Sequence, residues 1–375
     1  MGRKPNIEKV QEEPQGDSSK ATIKSLIDKE VLSPEKGSDF CISTSSLLLD
    51  LATSGGIRPS IIRMTGCTEG GKTSASLAIL KNFLENAPNA KGLIIPSEGK
   101  LKDNMKDRSG VKFVDDPDEW EVGTCLIVYT NVFEKAVNIV RQLVYNNPEN
   151  FRYGFIIDSV DALIPRGDVD KMDEPNKVSG AALLSSDFLR RMANAISVKK
   201  HLVILISQVR ATVKINQYEK SDPKITNAGG GNALLHYSDW IFEFQERYQG
   251  DIIWSGEKGK SDRLGHRCKI IFRKSPNEKT GVAVDYPIKY GRNNGQSVWI
   301  EYEIIDMLLA WNQAVQKGAW ITLDEELWKE LQDKLSADVE EIPKQFNGAN
   351  KFREYLENNL EVTKFLFNKF KEKFA

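Results

Sequence analysis

Gly66-Cys67-Thr68-Glu69-Gly70-Gly71-Lys72-Thr73 is the stretch of sequence that decides the fold of this chain. It fits the pattern G-x-x-x-x-G-K-[ST], in which a glycine-rich loop joins a buried strand to a helix. Residues 61–65 read Ile-Ile-Arg-Met-Thr, which predicts the strand. After the loop, Leu77, Leu80 and Leu84 recur at helical spacing and predict the helix. These flanking elements disfavour the alternative, a glycine-rich turn that matches the pattern by chance.

The loop has the residues that bind the phosphates of a nucleotide. Its glycines let backbone N–H groups curl around phosphate oxygens, and the N-terminus of the next helix adds partial positive charge. Lys72 is predicted to reach the β- and γ-phosphates, and the Thr73 hydroxyl is predicted to ligate Mg²⁺. The predicted phosphate-binding residues are Gly66, Cys67, Thr68, Glu69, Gly70, Gly71, Lys72, Thr73 and Ser74.

The composition is typical of a soluble globular protein with one large or two ordinary domains. The chain has 375 residues, of which 40% are hydrophobic and 28% are charged. The formal net charge is −1, which excludes a polycation. Any contact with nucleic acid must therefore come from local basic patches.

The cysteines and histidines disfavour a metal cluster and a disulfide framework. Cys41, Cys67, Cys125 and Cys268 lie far apart and form no C-x-x-C, and the three histidines are scattered. This usage fits a reducing compartment. The sequence has no apolar run of 18 residues and no apolar leader, so we expect no membrane partner and a location in the cytoplasm or inside a host cell.

Apolar runs that alternate with helical patterns predict an α/β fold with a mainly parallel sheet covered on both faces. Further strands are predicted at 92–98, 125–129, 153–158 and 201–208, and helices at 133–144 and 181–197. Runs at 240–244, 268–273 and 282–290 are interpreted as antiparallel edge strands of the same sheet. From about residue 298 the helical patterns return.

Three polar residues end strands that should lie beside the loop. Asp158 stands 85 positions after Thr73, and an acid there holds Mg²⁺ directly or through water. Glu98 ends the strand after the loop helix, where a carboxylate could activate the attacking water; the alternative is a solvated acid. Gln208 ends the strand after Asp158, where an amide could sense the γ-phosphate and move the segment that follows.

Two long polar segments are candidates for DNA contact. Residues 209–228 place four cations around one aromatic side chain: Arg210, Lys214, Lys220, Lys224 and Tyr218. Cations hold phosphates and a ring stacks on a base, so this composition suits a single strand; a solvated insertion is the alternative. Residues 165–179 carry mixed charge, and only their position after the Asp158 strand suggests DNA contact.

Five stretches make the chain resemble the RecA family of ATP-dependent recombinases, in particular its phage-type members. They are residues 42–50, the loop at 66–73, Asp158-Ser159-Val160-Asp161-Ala162-Leu163, the flanks 206–210 and 230–234, and the C-terminal segments 317–320 and 348–350. They follow one another in the family's order from about residue 40 to residue 374. The resemblance implies a RecA-like core that hydrolyses ATP with Mg²⁺.

The resemblance also implies partners. They are single-stranded DNA, homologous duplex DNA and further copies of the chain in a helical filament that pairs and exchanges strands. A single-strand-binding protein or a loader is a further candidate, in the cytoplasm of a bacterium or of a phage-infected host.

Motif position assigns roles within this resemblance. Glu98 corresponds to the family's catalytic glutamate, and Gln208 corresponds to its γ-phosphate sensor. Lys72 is assigned to the catalytic residues with them. Arg273 and Lys274 fall near the basic residues that reach a neighbour's ATP. The predicted DNA contacts are Arg166 and Lys177 in the first loop, the five residues named above in the second, and Gly230, Gly231 and Asn232 at its end. Around Lys102 and Met105 the chain differs from the family, so the resemblance leaves the base preference open.

The domain prediction has three parts. Residues 1–38 are expected to form an arm whose short helix packs on a neighbouring subunit; a floppy leader is the alternative. Residues 39–298 are predicted to form the ATPase core, and residues 299–375 a small α+β domain. Two other functions stay open: a RecA-fold ring motor such as a replicative helicase, and a regulatory ATP-binding protein without strand exchange. Gly-Gly-Asn-Ala-Leu at 230–234 and Lys-Gly-Ala-Trp at 317–320 favour the recombinase.

Overall fold

The structure is a computed structural model that describes residues 40–168, 179–208, 231–335, 339 and 341–374. For residues 168, 179–186 and 231–233 it describes the backbone alone. The predicted arm, most of the first predicted DNA loop and all of the second lie outside these ranges.

Ten strands of the described chain form the main sheet. They are β1 (Ile61–Gly66), β2 (Ala90–Pro96), β3 (Lys112–Val114), β4 (Thr124–Ile127), β5 (Arg152–Asp158), β6 (Leu202–Ile206), β7 (Trp240–Phe244), β8 (Ile252–Trp254), β9 (Arg263–Lys274) and β10 (Ala283–Lys289). Their order is β10-β9-β7-β1-β6-β5-β2-β4-β3, and β8 pairs with β9. Neighbours from β7 to β3 are parallel, and the pairs β7–β9, β9–β10 and β8–β9 are antiparallel.

This arrangement confirms the mainly parallel α/β sheet with antiparallel edge strands. Strand β9 is longer than predicted, because its first five residues are mostly polar and pair with β8 and β10. Strands β3 and β8 were missed, since three residues are too few to show a period.

The helices before residue 240 are α1 (Leu47–Ala52), α2 (Lys72–Asn86), α3 (Asp103–Ser109), α4 (Phe133–Tyr145), α5 (Ser179–Val198) and α6 (Gly231–Tyr237). The predicted leucine stripe of α2 is buried against the sheet. Glycine at position 154 of β5 lets this helix pack close to the strand, because a Cβ there would lie 2.6 Å from Leu80 Cδ1. Helix α2 is therefore held tightly over β5.

The C-terminal part combines helices with a second sheet. It contains α7 (Ile300–Ala310), β11 (Ala314–Lys317), β12 (Trp320–Leu323), α8 (Glu325–Leu335), β13 (Gln345–Asn347), α9 (Gly348–Asn358) and α10 (Leu360–Glu372). The three strands form an antiparallel sheet in the order β11-β12-β13. An apolar cluster fills this part, and Leu47 of α1 belongs to it. The small α+β C-terminal part is thus confirmed.

Buried carboxylates join α7 to α1. Both oxygens of Glu303 are engaged, one with Ser46 Oγ at 2.5 Å and the other with Leu47 N at 2.7 Å. Asp50 accepts bonds from Ser43 and Thr44 in the same region. Burial raises the pKa of Glu303 to about 8 and also raises the pKa of Asp50. Glu303 therefore holds the first turn of α1 and ties it to the C-terminal part.

Candidate functional site

The predicted site residues meet at one edge of the sheet. Strand register aligns Met64 with Ile206, Ile206 with Asp158, and Asp158 with Pro96. The carboxyl ends of β1, β6, β5 and β2 therefore lie side by side. Ligands of open parallel sheets bind at such an edge, near the point where the strand order reverses.

The glycine-rich loop follows β1 and curls in front of α2. Gly66 has φ 137°, and a Cβ there would lie 2.1 Å from the carbonyl oxygen of Phe244, so only glycine fits against β7. Lys72 is 8% exposed, and its Nζ donates to the carbonyls of Gly66 at 2.9 Å and Cys67 at 2.7 Å. Burial lowers the pKa of Lys72, and the carboxylate of Asp158 opposes that shift.

Thr73 and Asp158 form an oxygen-rich pair at the start of α2. The Thr73 hydroxyl donates to Asp158 Oδ2 at 2.7 Å. Burial raises the pKa of Asp158, the Thr73 bond lowers it, and nearby Glu98 raises it further. A hydroxyl beside a carboxylate is a donor set that Mg²⁺ accepts. The residues present therefore fit a magnesium-bound nucleotide.

Glu98 is exposed but held by two neighbours. Ser159 Oγ donates a short hydrogen bond to Glu98 Oε1, and Gln208 Nε2 donates to the same oxygen at 2.7 Å. The backbone N–H of Gln208 donates to Asp161 Oδ2 at 2.6 Å. These bonds disfavour the alternative of a freely solvated acid. They also link the ends of β2, β5 and β6 to the residue that precedes the predicted second DNA loop.

Sequence reasoning gave no role to three residues of this network. Ser159 and Asp161 fall within the motif that begins at Asp158. Arg63 is buried within β1, and its Nε donates to Ser207 Oγ at 3.0 Å. Burial lowers the pKa of Arg63, and Asp161 opposes that shift. The available signal was the charge itself, since an arginine inside an apolar strand requires a partner.

A cavity of 430 Å³ opens beside the loop. The loop and the first turns of α2 form one wall. Helix α3, residues 295–298 and side chains of β9 and β10 form the others. The cavity is large enough for the nucleoside end of a nucleotide whose phosphates lie on the loop.

Other predicted site residues lie away from this cavity. Arg273 pairs with both carboxylate oxygens of Glu243, at 2.8 and 2.9 Å, and Lys274 Nζ donates to the carbonyls of Leu235 and His236. Neither cation lines the cavity.

The predicted DNA contacts are described only in part. Arg166 is exposed, and its backbone N–H donates to Glu134. Gly231 and Asn232 begin α6. Seven contacts lie outside the described residues: Lys177, Arg210, Lys214, Tyr218, Lys220, Lys224 and Gly230.

The described residues contain no group of three or more His, Cys, Asp and Glu side chains arranged to hold a metal ion. None of their helices has the length and apolar character that crossing a membrane requires.

Comparison with known proteins finds one family model and several relatives that match this chain. The family model described as the RecA N-terminal domain matches residues 19–292. Protein RecA of Rippkaea orientalis is 26% identical over 305 residues, which cover 80% of this chain and 78% of the relative. Protein RecA of Enterococcus faecalis is 28% identical over 287 residues, which cover 76% of this chain and 74% of the relative. Protein RecA of Bdellovibrio bacteriovorus is 26% identical over 306 residues, which cover 80% of this chain and 73% of the relative.

Proposed function

Since this chain belongs to the RecA family, we propose that it is an ATPase stimulated by single-stranded DNA and a recombinase. It forms a helical filament on that DNA and exchanges strands with homologous duplex. Its place among phage-type members, in a bacterial or phage-infected cytoplasm with a single-strand-binding protein or loader, is part of the proposal. The identities of 26 to 28% support a divergent position within the family.

The bond of 2.7 Å between Glu98 and Gln208 supports this function most strongly. It joins the acid that is placed to act on water to the residue at the entrance of the predicted second DNA loop. A change in the γ-phosphate region that alters this bond can therefore be passed into residues 209–228.

Each residue of the site has a role in hydrolysis. Lys72 binds the β- and γ-phosphates, and Thr73 and Asp158 hold Mg²⁺, which neutralises phosphate charge when it is bound. Glu98 accepts the proton of the attacking water. Ser159 and Gln208 hold the Glu98 carboxylate toward that water, and Asp161 fixes the backbone of Gln208.

Arg273 and Lys274 are proposed to complete the ATP site of a neighbouring copy, because both carry charge outside their own chain's cavity. Mixing the double alanine variant with Lys72→Ala tests this role. A shared site predicts recovered turnover at some mixing ratio, and no recovery at any ratio contradicts it.

Measuring ATP hydrolysis with and without single-stranded DNA tests the proposed function. We expect stimulation by DNA, together with helical filaments in negative-stain images. Rings would favour a motor such as a helicase. DNA-stimulated turnover and filaments without strand pairing would favour a regulatory ATP-binding protein.

A further inference from the structure

The cavity extends from the phosphate-binding loop toward helix α3. Met105 and Arg108 are three residues apart, so they lie on the same face of this helix, and both line the cavity. Ser74 Oγ lies 3.7 Å from Met105 Sδ, which places that face beside the start of α2. If the proposed function holds and the phosphates lie on the loop, the base of the nucleotide lies next to Met105 and Arg108.

The opposite wall is fixed to α3. The N–H of Gly295 donates to the carbonyl of Arg108 at 2.8 Å, and Ser297 and Val298 continue along the cavity. Gly295 has little freedom, because a Cβ there would lie 2.9 Å from the carbonyl oxygen of Ser109. The base therefore enters a slot whose two sides are held together by the backbone.

The charged side chains that line the cavity are mainly hydrogen-bond donors, since three are cations: Lys72, Arg108 and Arg247. Arg247 Nη2 donates to the carbonyl of Glu69 at 3.1 Å. The partly buried guanidinium of Arg108 has no hydrogen-bond or ion-pair partner among the described residues. Glu69 is the one acidic residue among the described residues that line the cavity, and it lies on the loop.

The neutral side chains of the slot do not select between purines. His266 also lines the cavity, and burial, Arg247 and Arg108 lower its pKa to about 4, so its ring is uncharged at neutral pH. A neutral imidazole and the hydroxyl of Ser297 can each donate or accept, whereas the Ser109 hydroxyl already donates to the carbonyl of Lys106 and accepts from Val111 N. Arg247 already donates to the carbonyl of Glu69 on the loop, so selection between bases is assigned to the guanidinium of Arg108.

A guanidinium favours one kind of purine edge. Guanine and hypoxanthine present two acceptors, O6 and N7, which a guanidinium can bind with two bonds. Adenine presents a 6-amino donor at the corresponding place, and this donor faces another donor. We propose that Arg108 reads the base and that this site accepts 6-oxopurine nucleotides such as GTP as readily as ATP.

Calorimetric titration with ADP, GDP and IDP in the presence of Mg²⁺ tests this proposal on the full chain. These diphosphates report binding alone, and IDP lacks the 2-amino group, so it isolates the O6 and N7 edge. The variants are Arg108→Met, which keeps an unbranched side chain, and Lys106→Met as the control. Lys106 lies on the same helix and does not line the cavity.

We expect the parent to bind GDP no more than about threefold more weakly than ADP. Arg108→Met should weaken GDP and IDP about fivefold or more and ADP less than about twofold, as the loss of a two-bond arginine contact predicts. Lys106→Met should change none of the three affinities.

Stronger ADP preference in the parent, or an equal loss for all three nucleotides in Arg108→Met, overturns the assignment of Arg108. If none of the three binds, the proposed nucleotide site fails and this inference fails with it. Normal ADP binding with rejected GDP overturns the base inference alone and leaves the proposed function standing.

Discussion

Two regions of this molecule bury a carboxylate, and the buried carboxylate has a different role in each. Asp158 lies half-buried at the proposed phosphate site, bonded to Thr73 and close to Lys72. Glu303 is 0% exposed at the joint between α1 and α7, and both its oxygens are bonded to the start of α1. Burial raises the pKa of both groups.

The surroundings decide what a buried carboxylate does. Asp158 has a cation and a hydroxyl beside a cavity, so a ligand can complete its interactions. Glu303 has neutral donors alone among its hydrogen-bond partners in the described chain, and its task is to hold two elements together. A raised pKa therefore indicates a functional site only where space and complementary charge accompany it.

Removing the cation at the phosphate site should have the largest effect. Lys72→Ala should lower ATP turnover by about 10³-fold or more, because the phosphates lose their principal positive charge. Steady-state hydrolysis with saturating single-stranded DNA measures the effect. Glu303→Gln is the control and should turn over ATP normally. Parental turnover in Lys72→Ala would contradict the assignment of the loop.

Neutralising the acid near the attacking water should have a smaller effect. Glu98→Gln should lower kcat by about 10²-fold, since the proton acceptor is lost while the phosphate contacts stay. Nucleotide affinity should be nearly unchanged, and filaments should persist longer on DNA. Hydrolysis at the parental rate would mean that another group activates the water.

The smallest effect is expected at the joint, and it concerns stability. The Glu303 carboxyl has a pKa of 4.5 when unfolded and about 8 when folded, so between these values the unfolded state is ionised and the folded state is protonated. Its contribution to stability is full below pH 4.5 and is lost as the pH rises toward 8.

Glu303→Gln should reduce that loss. An amide can accept from Leu47 N and donate to Ser46 Oγ without titrating. Between pH 5 and pH 8 the Tm of the variant should fall by a few degrees less than that of the parent. Parallel Tm curves across this range would show that Glu303 does not titrate as its burial predicts.

The sequence predicts which residues lie together beside the loop, for a physical reason. Parallel strands bring their carboxyl ends to one edge, so Asp158 at the end of β5, with Glu98 and Gln208 just beyond β2 and β6, is expected near the loop. The base end is different. Helix α3 is polar and seven residues long, with no apolar stripe to reveal it. Arg108, Arg247 and His266 come together through tertiary packing, which no local pattern indicates.

The most direct test of the link between nucleotide and DNA is single-strand affinity with and without a non-hydrolysable ATP analogue. The analogue should tighten parental binding by about tenfold or more, as a coupling of 1–3 kcal/mol predicts. In Gln208→Ala, which loses the bond to Glu98, the analogue should still bind but should no longer raise the affinity for single-stranded DNA. Gln142→Ala, on the exposed face of α4, is the control. Equal tightening in the parent and in Gln208→Ala would contradict a link through Glu98 and Gln208.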